Sequence, residues 1–193
     1  SPLTGTIPAI ASTSMAHRLI ICAALATGET HVTCNTTCAD IEATVRCLTA
    51  LGARIETVED GFQVHPTMKS VEFGLLKALA GGTLDCGESG STLRFMLPVA
   101  CALGAEATFV GQGRLGARPL SPLSDEIIAA GCDLQGLGGF PLKTSGRMRP
   151  GTFVLPGNVS SQYISGLLMA LPRLSGGSTL HIAGELQSAG YVD

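Results

Sequence analysis

SGSTLRFMLPVACALGAEATFVG, residues 89–111, opens on hydroxyls and glycine, continues as an apolar stretch with helical spacing, and resumes past Gly104 as an alternating strand. STSMAHRLIICAALATGETHVT, residues 12–33, follows the same order, as does VSSQYISGLLMALPRLSGGSTLHIAG, residues 159–184. Each copy predicts a Ser-headed helix of about three turns, a stop at glycine and a Thr-containing strand. Arg18 precedes Gly28 by ten residues and Arg94 precedes Gly104 by ten, which favours a common unit over coincidence. In the first two copies a second helix follows, Asp40–Leu51 and Leu120–Ala130, with Pro119 at the start of the latter. Gly52 and Gly131 read as left-handed helix stops, and strand, turn and strand come next. The unit is strand, helix, strand, helix, strand, strand. The third copy breaks off at Tyr191-Val192-Asp193, before its second helix.

The chain has 193 residues, 45% hydrophobic and 14% charged, enough apolar material for a sizeable core of one or two domains. Aromatic residues make up 4%, tryptophan is absent and the formal net charge is −3, so neither base stacking nor a basic surplus points to nucleic acid. Seven scattered cysteines without a CxxC pair read as reduced core residues, and Cys34 with Cys38 lacks the companions a metal site requires. The apolar runs are too short for a bilayer and no signal-peptide pattern opens the chain. A cytoplasmic location with no membrane partner is expected.

The Ser-headed helices are richer in Ala, Leu and Ile than surface helices need, so they are expected to pack together inside with sheets outside. Their amino ends then emerge on one face, an electropositive floor in a chain without net positive charge. GESGSTLR, residues 87–94, adds glycines for sharp turns, Ser91 or Thr92 as a cap, and Arg94. Arg18, Arg94, Arg114 and Arg118 lie in or beside these helix mouths, and the guanidinium fork matches phosphate and carboxylate. SSQY, residues 160–163, offers two hydroxyls and an amide, more than one helix cap needs. GQGRLGARPL, residues 111–120, sets two arginines in a glycine-rich loop. His17 and His31 have acid–base chemistry but no partner evident in sequence, so no catalytic residue is assigned. Walker, GxGxxG, GxSxG and HExxH patterns are absent, leaving a polyanionic small molecule as the expected ligand.

STSMAHR, GESGSTLR, GARPL and SSQYISGLLMALP, in this order and spacing, closely resemble the enolpyruvyl transferases, and the similarity extends through GELQSAGYVD. The resemblance implies an α/β (α+β) fold of the inside-out prism type, with repeated βαβαββ units, buried parallel helices and sheets outside. It divides this sequence into an N-terminal strand or interdomain segment, 1–12, and a substrate-binding domain, 13–193, whose third unit is incomplete; a C-terminal domain would lie beyond it. It also implies transfer of the carboxyvinyl group of phosphoenolpyruvate to shikimate 3-phosphate through a tetrahedral intermediate, without metal or organic cofactor. Matched position by position, Thr13, Ser14, Arg18, Ser160, Ser161, Gln162 and Ser188 would hold shikimate 3-phosphate. Gly90, Arg118 and again Gln162 would hold phosphoenolpyruvate, with Arg94 behind them.

Two positions depart from that pattern. Thr13 stands where the family's first motif carries a lysine that touches both substrates, and Glu88 stands where many relatives have Asn. A glutamate there either repels an anionic ligand or orients Arg118. Two other readings stay open: a non-catalytic phosphate-binding half-module, favoured by Thr13, and the related transferase acting on UDP-N-acetylglucosamine, disfavoured by the absence of cysteine between Gly111 and Ala117.

Overall fold

The structure, a computed structural model, describes residues 12–66, 82–187 and 189–192. Residues 1–11 of the expected N-terminal segment and Ser188 lie outside the described residues. The first unit contributes α1 (Thr13–Leu25), β1 (Thr30–Thr33), α2 (Ala39–Ala50), β2 (Arg54–Val58) and β3 (Gly61–His65). The second has β4 (Thr83–Asp85), α3 (Gly90–Leu103), β5 (Thr108–Val110), α4 (Leu123–Ala129), β6 (Cys132–Gln135) and β7 (Leu142–Gly146). The third shows β8 (Thr152–Pro156), α5 (Ser161–Ala170) and β9 (Thr179–Ala183).

Sheet order repeats with the sequence. In the second unit it is β4-β5-β7-β6, with β4 parallel to β5 and the other pairs antiparallel. In the first, β1-β3-β2 reproduces the last three positions, and in the third, β8 runs parallel to β9 as β4 does to β5. The hairpin β2–β3 turns through Glu59-Asp60 with Val58 opposite Gly61, the two-residue connection that a tight hairpin favours.

The core is built around α3. Every residue of this helix is buried except Ser91 and Arg94, and Phe95, Met96, Leu97 and Leu103 are at or below 1% exposure. Each such side chain contributes roughly 1.5–3 kcal/mol on leaving water. Helices α1, α2 and α5 all pack on α3, and α1 also meets α5, so the Ser-headed helices form the expected inner layer. Pro98 lies inside α3 and supplies no N–H to the Arg94 carbonyl. Gly166 of α5 occupies that notch, for a Cβ there would lie 2.7 Å from Arg94 O and 3.1 Å from Pro98 Cγ. Helix–helix approach is thus set by a missing amide on one side and a missing side chain on the other.

Several boundaries differ from expectation. The glycine stop holds for α3, where Gly104 has φ 69°, and for the second helices, where Gly52 and Gly131 have φ 100° and 108°. Helix α1 instead ends at Leu25 with an extended Ala26, before Gly28. Helix α5 passes into a 3-10 turn, Leu171–Arg173, whose Pro172 cannot continue the α ladder. Pro119 does not begin α4, which starts at Leu123 with Pro122 as its N-cap. The cap of α3 is Ser89, not Ser91 or Thr92, because Ser89 Oγ lies 3.1 Å from the Thr92 amide.

Candidate anion site at the helix amino ends

Three serines cap three helices. Ser12 accepts from Met15 N at 3.4 Å, Ser89 from Thr92 N at 3.1 Å, and Ser160 from Gln162 N at 3.3 Å. Each cap satisfies one first-turn amide, in α5 the Tyr163 amide also donates to Ser160 O at 2.9 Å, and each helix start carries the positive end of the helix dipole. Side chains one or two turns in tie these ends together. Gln162 Nε2 donates to Ser91 Oγ at 2.7 Å, and Arg94 Nη1 donates to Gln162 Oε1 at 2.8 Å, joining α3 to α5. Arg18 donates through Nε and Nη2 to Ser165 Oγ at 3.1 and 3.0 Å, joining α1 to α5, and through Nη1 to Ser14 O at 2.7 Å. The guanidinium of Arg18 also lies 4.9 Å over the Phe95 ring and that of Arg94 5.6 Å over Tyr163. These are cation–π placements that hold both side chains in place.

Arg118 enters from the loop before α4. A Cβ on Gly90 would lie 2.8 Å from Arg118 Nη1 and 3.5 Å from Arg94 Nη1, so the first residue of α3 leaves room for two guanidinium groups. The loop is pinned at both ends: Gln112 N donates to Gly87 O at 2.7 Å, and Tyr163 OH to Pro119 O at 2.8 Å. Glu88 rests its carboxylate against Gly113 of this loop. Among the described residues no ion pair joins Glu88 to Arg118, nor any carboxylate to Arg94. Two cations without acidic partners among the described residues thus stand at the amino end of α3, a chemistry that suits phosphate or carboxylate.

Beneath this floor lies a buried polar chain. His17 Nδ1 is 2.8 Å from Thr44 Oγ1, which is 2.8 Å from Thr92 Oγ1; Thr92 in turn donates to Ser89 Oγ at 2.8 Å and to Asp40 O at 3.1 Å. Burial lowers the His17 pKa to about 4, with the charge of Arg18 adding to the effect and that of Asp40 opposing it. The ring is therefore neutral at pH 7 and a poor proton donor to a ligand.

Of the residues singled out in the sequence, Gly90, Arg94, Arg118 and Gln162 come together where α3 meets α5, Ser14 and Arg18 meet on α1, Ser161 is the half-buried first residue of α5, and Thr13 and Ser160 are exposed at helix ends. Arg114 is exposed in the loop and takes no part in these contacts. His31 pairs instead with Asp60 at 3.1 Å on the β1–β3 sheet. Sequence reasoning missed Ser165, Ser91 and Tyr163 as anchors of Arg18, Gln162 and the loop, respectively. The visible signal for Ser165 was a hydroxyl inside an otherwise apolar helix, one turn past Ser161.

Residues 1–193 match the family model for EPSP synthase (3-phosphoshikimate 1-carboxyvinyltransferase). The chain is 40% identical over 192 residues to the 3-phosphoshikimate 1-carboxyvinyltransferase of Clostridium beijerinckii, covering 99% of this chain and 44% of that protein. It is 37% identical to the enzyme of the same name from Clostridioides difficile, covering 100% of this chain and 45% of that one. This chain thus spans less than half the length of these curated relatives. Its fold matches an EPSP synthase from Acinetobacter baumannii with a TM-score of 0.75 at 21% identity, over 97% of this chain and 42% of that one. The enolpyruvyl transferase NikO from Streptomyces tendae matches with a TM-score of 0.59 at 20% identity, over 89% and 38% respectively.

Proposed function

Because the chain belongs to the EPSP synthase family, we propose that it supplies one half of a site that transfers the carboxyvinyl group of phosphoenolpyruvate to the 5-hydroxyl of shikimate 3-phosphate, releasing inorganic phosphate. Ser14, Arg18, Ser160, Ser161 and Gln162, with Thr13 and Ser188, bind the shikimate phosphate and ring. Gly90, Arg118 and Gln162 bind phosphoenolpyruvate. The amide of Gln162 lies between the two groups and sets their spacing, which is how binding energy becomes orientation of the acceptor hydroxyl toward the enol carbon. Arg94 acts on the substrates through Gln162. His17 is neutral and enclosed, so it does not exchange protons with the tetrahedral intermediate. The domain completing the site is the proposed partner.

The observation that carries this reading is the placement of Arg118 and Arg94 over Gly90, with Gln162 bridging Arg94 and Ser91. Thr13 favours a second reading, a half-module that binds the phosphate without turnover. Phosphate release in the presence of both substrates separates the two. The chain is assayed alone and together with the complementary C-terminal portion of the Clostridium beijerinckii relative. Release that requires both halves and disappears with Arg118→Ala supports the transferase; binding of shikimate 3-phosphate without release in either case supports the half-module.

A further inference from the structure

His17 is 1% exposed, Thr44 and Thr92 are 0% and Ser89 is 2%, so the four side chains form a polar chain fully enclosed in the core. Such a chain is favourable only if each donor meets an acceptor. Its proton arrangement can be counted from the far end. Thr92 has one hydroxyl proton and directs it to Ser89 Oγ and Asp40 O. The contact between Thr44 and Thr92 must then be filled by the Thr44 proton. With that proton used, the contact between Thr44 and His17 requires a proton on His17 Nδ1. Nε2 is left with a bare lone pair, and among the described residues this buried atom has no hydrogen-bond partner. An orphan lone pair is the cheaper arrangement, since the other tautomer would bury an unpaired N–H and reverse the chain, taking the Thr92 proton away from the Asp40 carbonyl, which can only accept.

We infer that His17 is a positioning residue, held as the neutral Nδ1–H tautomer, that drives a one-way chain His17→Thr44→Thr92→Ser89 and thereby fixes the amino end of α3 against α1 and α2. The chain ends on the hydroxyl that caps α3, one residue before Gly90, and begins one residue before Arg18. The ring also meets Phe95 edge-on, with centroids 5.9 Å apart, and Phe95 lies beneath Arg18. The distance between the Arg18 and Gly90 subsites is thus set by buried hydrogen bonds that touch no ligand. This rests on the proposed site, and the experiment keeps the two apart.

Nitrogen-15 NMR of the histidine rings in this 193-residue chain reads the tautomer directly. The Nδ1–H signature at His17 is expected, and an Nε2–H ring would overturn the chain whatever the site binds. Thr44→Val removes the acceptor; it is expected to shift His17 away from the Nδ1–H form and to weaken shikimate 3-phosphate binding about tenfold, while Thr44→Ser restores both. Unchanged affinity in Thr44→Val overturns the positioning role. Should Thr44→Val fail to fold, the tautomer and affinity of Thr44→Ser, expected to match the parent chain, decide in its place. A parent chain that shows the tautomer but does not bind shikimate 3-phosphate counts against the site, not against the hydrogen-bond chain.

Discussion

Arg94 donates to Gln162 across the α3–α5 interface at 2.8 Å, and this one bond places a cation of the buried helix beside an amide that also donates to Ser91. Both partners are half-buried. Gln162→Ala leaves the Arg94 donor and the Ser91 hydroxyl without their shared partner, a loss of about 1–3 kcal/mol. Affinity for shikimate 3-phosphate should fall roughly 5- to 150-fold by calorimetry. Combined with Arg94→Ala, the effect should be less than additive; additivity would show that the two side chains act independently.

Two glycines of the same region should answer differently to a methyl group. On Gly90 it would meet the tip of the Arg118 guanidinium, which is exposed and can move, so Gly90→Ala should keep the melting temperature and raise the KM for phosphoenolpyruvate. On Gly166 it would meet the Arg94 carbonyl at 2.7 Å, part of a helix with no room to retreat. Gly166→Ala should cost about 1–3 kcal/mol in denaturation. Equal stability losses in the two variants would contradict this account of α3–α5 packing.

His17 makes stability depend on pH in a definite direction. The unfolded ring takes up a proton near 6.5, but the folded ring resists it until about 4, so the unfolded state binds more protons between these values. The full contribution is present above 6.5 and is lost as the pH falls toward 4, by up to about 3 kcal/mol at 1.36 kcal/mol per pH unit. Urea denaturation of the parent chain and His17→Gln across this range should show the steeper fall in the parent.

Thr13 is the first residue of α1 and is exposed, so replacing it leaves the core untouched. A lysine there adds a cation to the amino end of α1. A charge-assisted contact in a partly desolvated site contributes roughly 2–5 kcal/mol. Exposure of the position reduces that figure, and Thr13→Lys should tighten phosphoenolpyruvate binding at least tenfold without shifting the melting temperature. Equal affinity would remove Thr13 as a weakness of the site.

Where a boundary was local in origin, the sequence disclosed it. Gly52 and Gly131 adopt the left-handed conformation that only the lack of a side chain makes easy, and they end their helices where read. The repeat placed α1, α3 and α5 together because their composition is too apolar for a surface. What stayed hidden depended on tertiary contact. Ser165 is one hydroxyl among apolar neighbours until Arg18, far away in sequence, is seen to bond it. Tyr163 gave no sign that it would hold the Pro119 carbonyl. Pro119 looked like a helix start because proline suits that position, but Tyr163 claims its carbonyl for the loop and the helix begins after Pro122.

The central claim is that amino ends of three inner helices bind a phosphorylated metabolite together, and an amide-resolved NMR titration of the chain with shikimate 3-phosphate tests it most directly. Saturable shifts should concentrate at Ser14, Gly90, Ser91, Ser161 and Gln162 and weaken in Arg18→Ala. Shifts confined to other parts of the chain, or none at millimolar ligand, would contradict it.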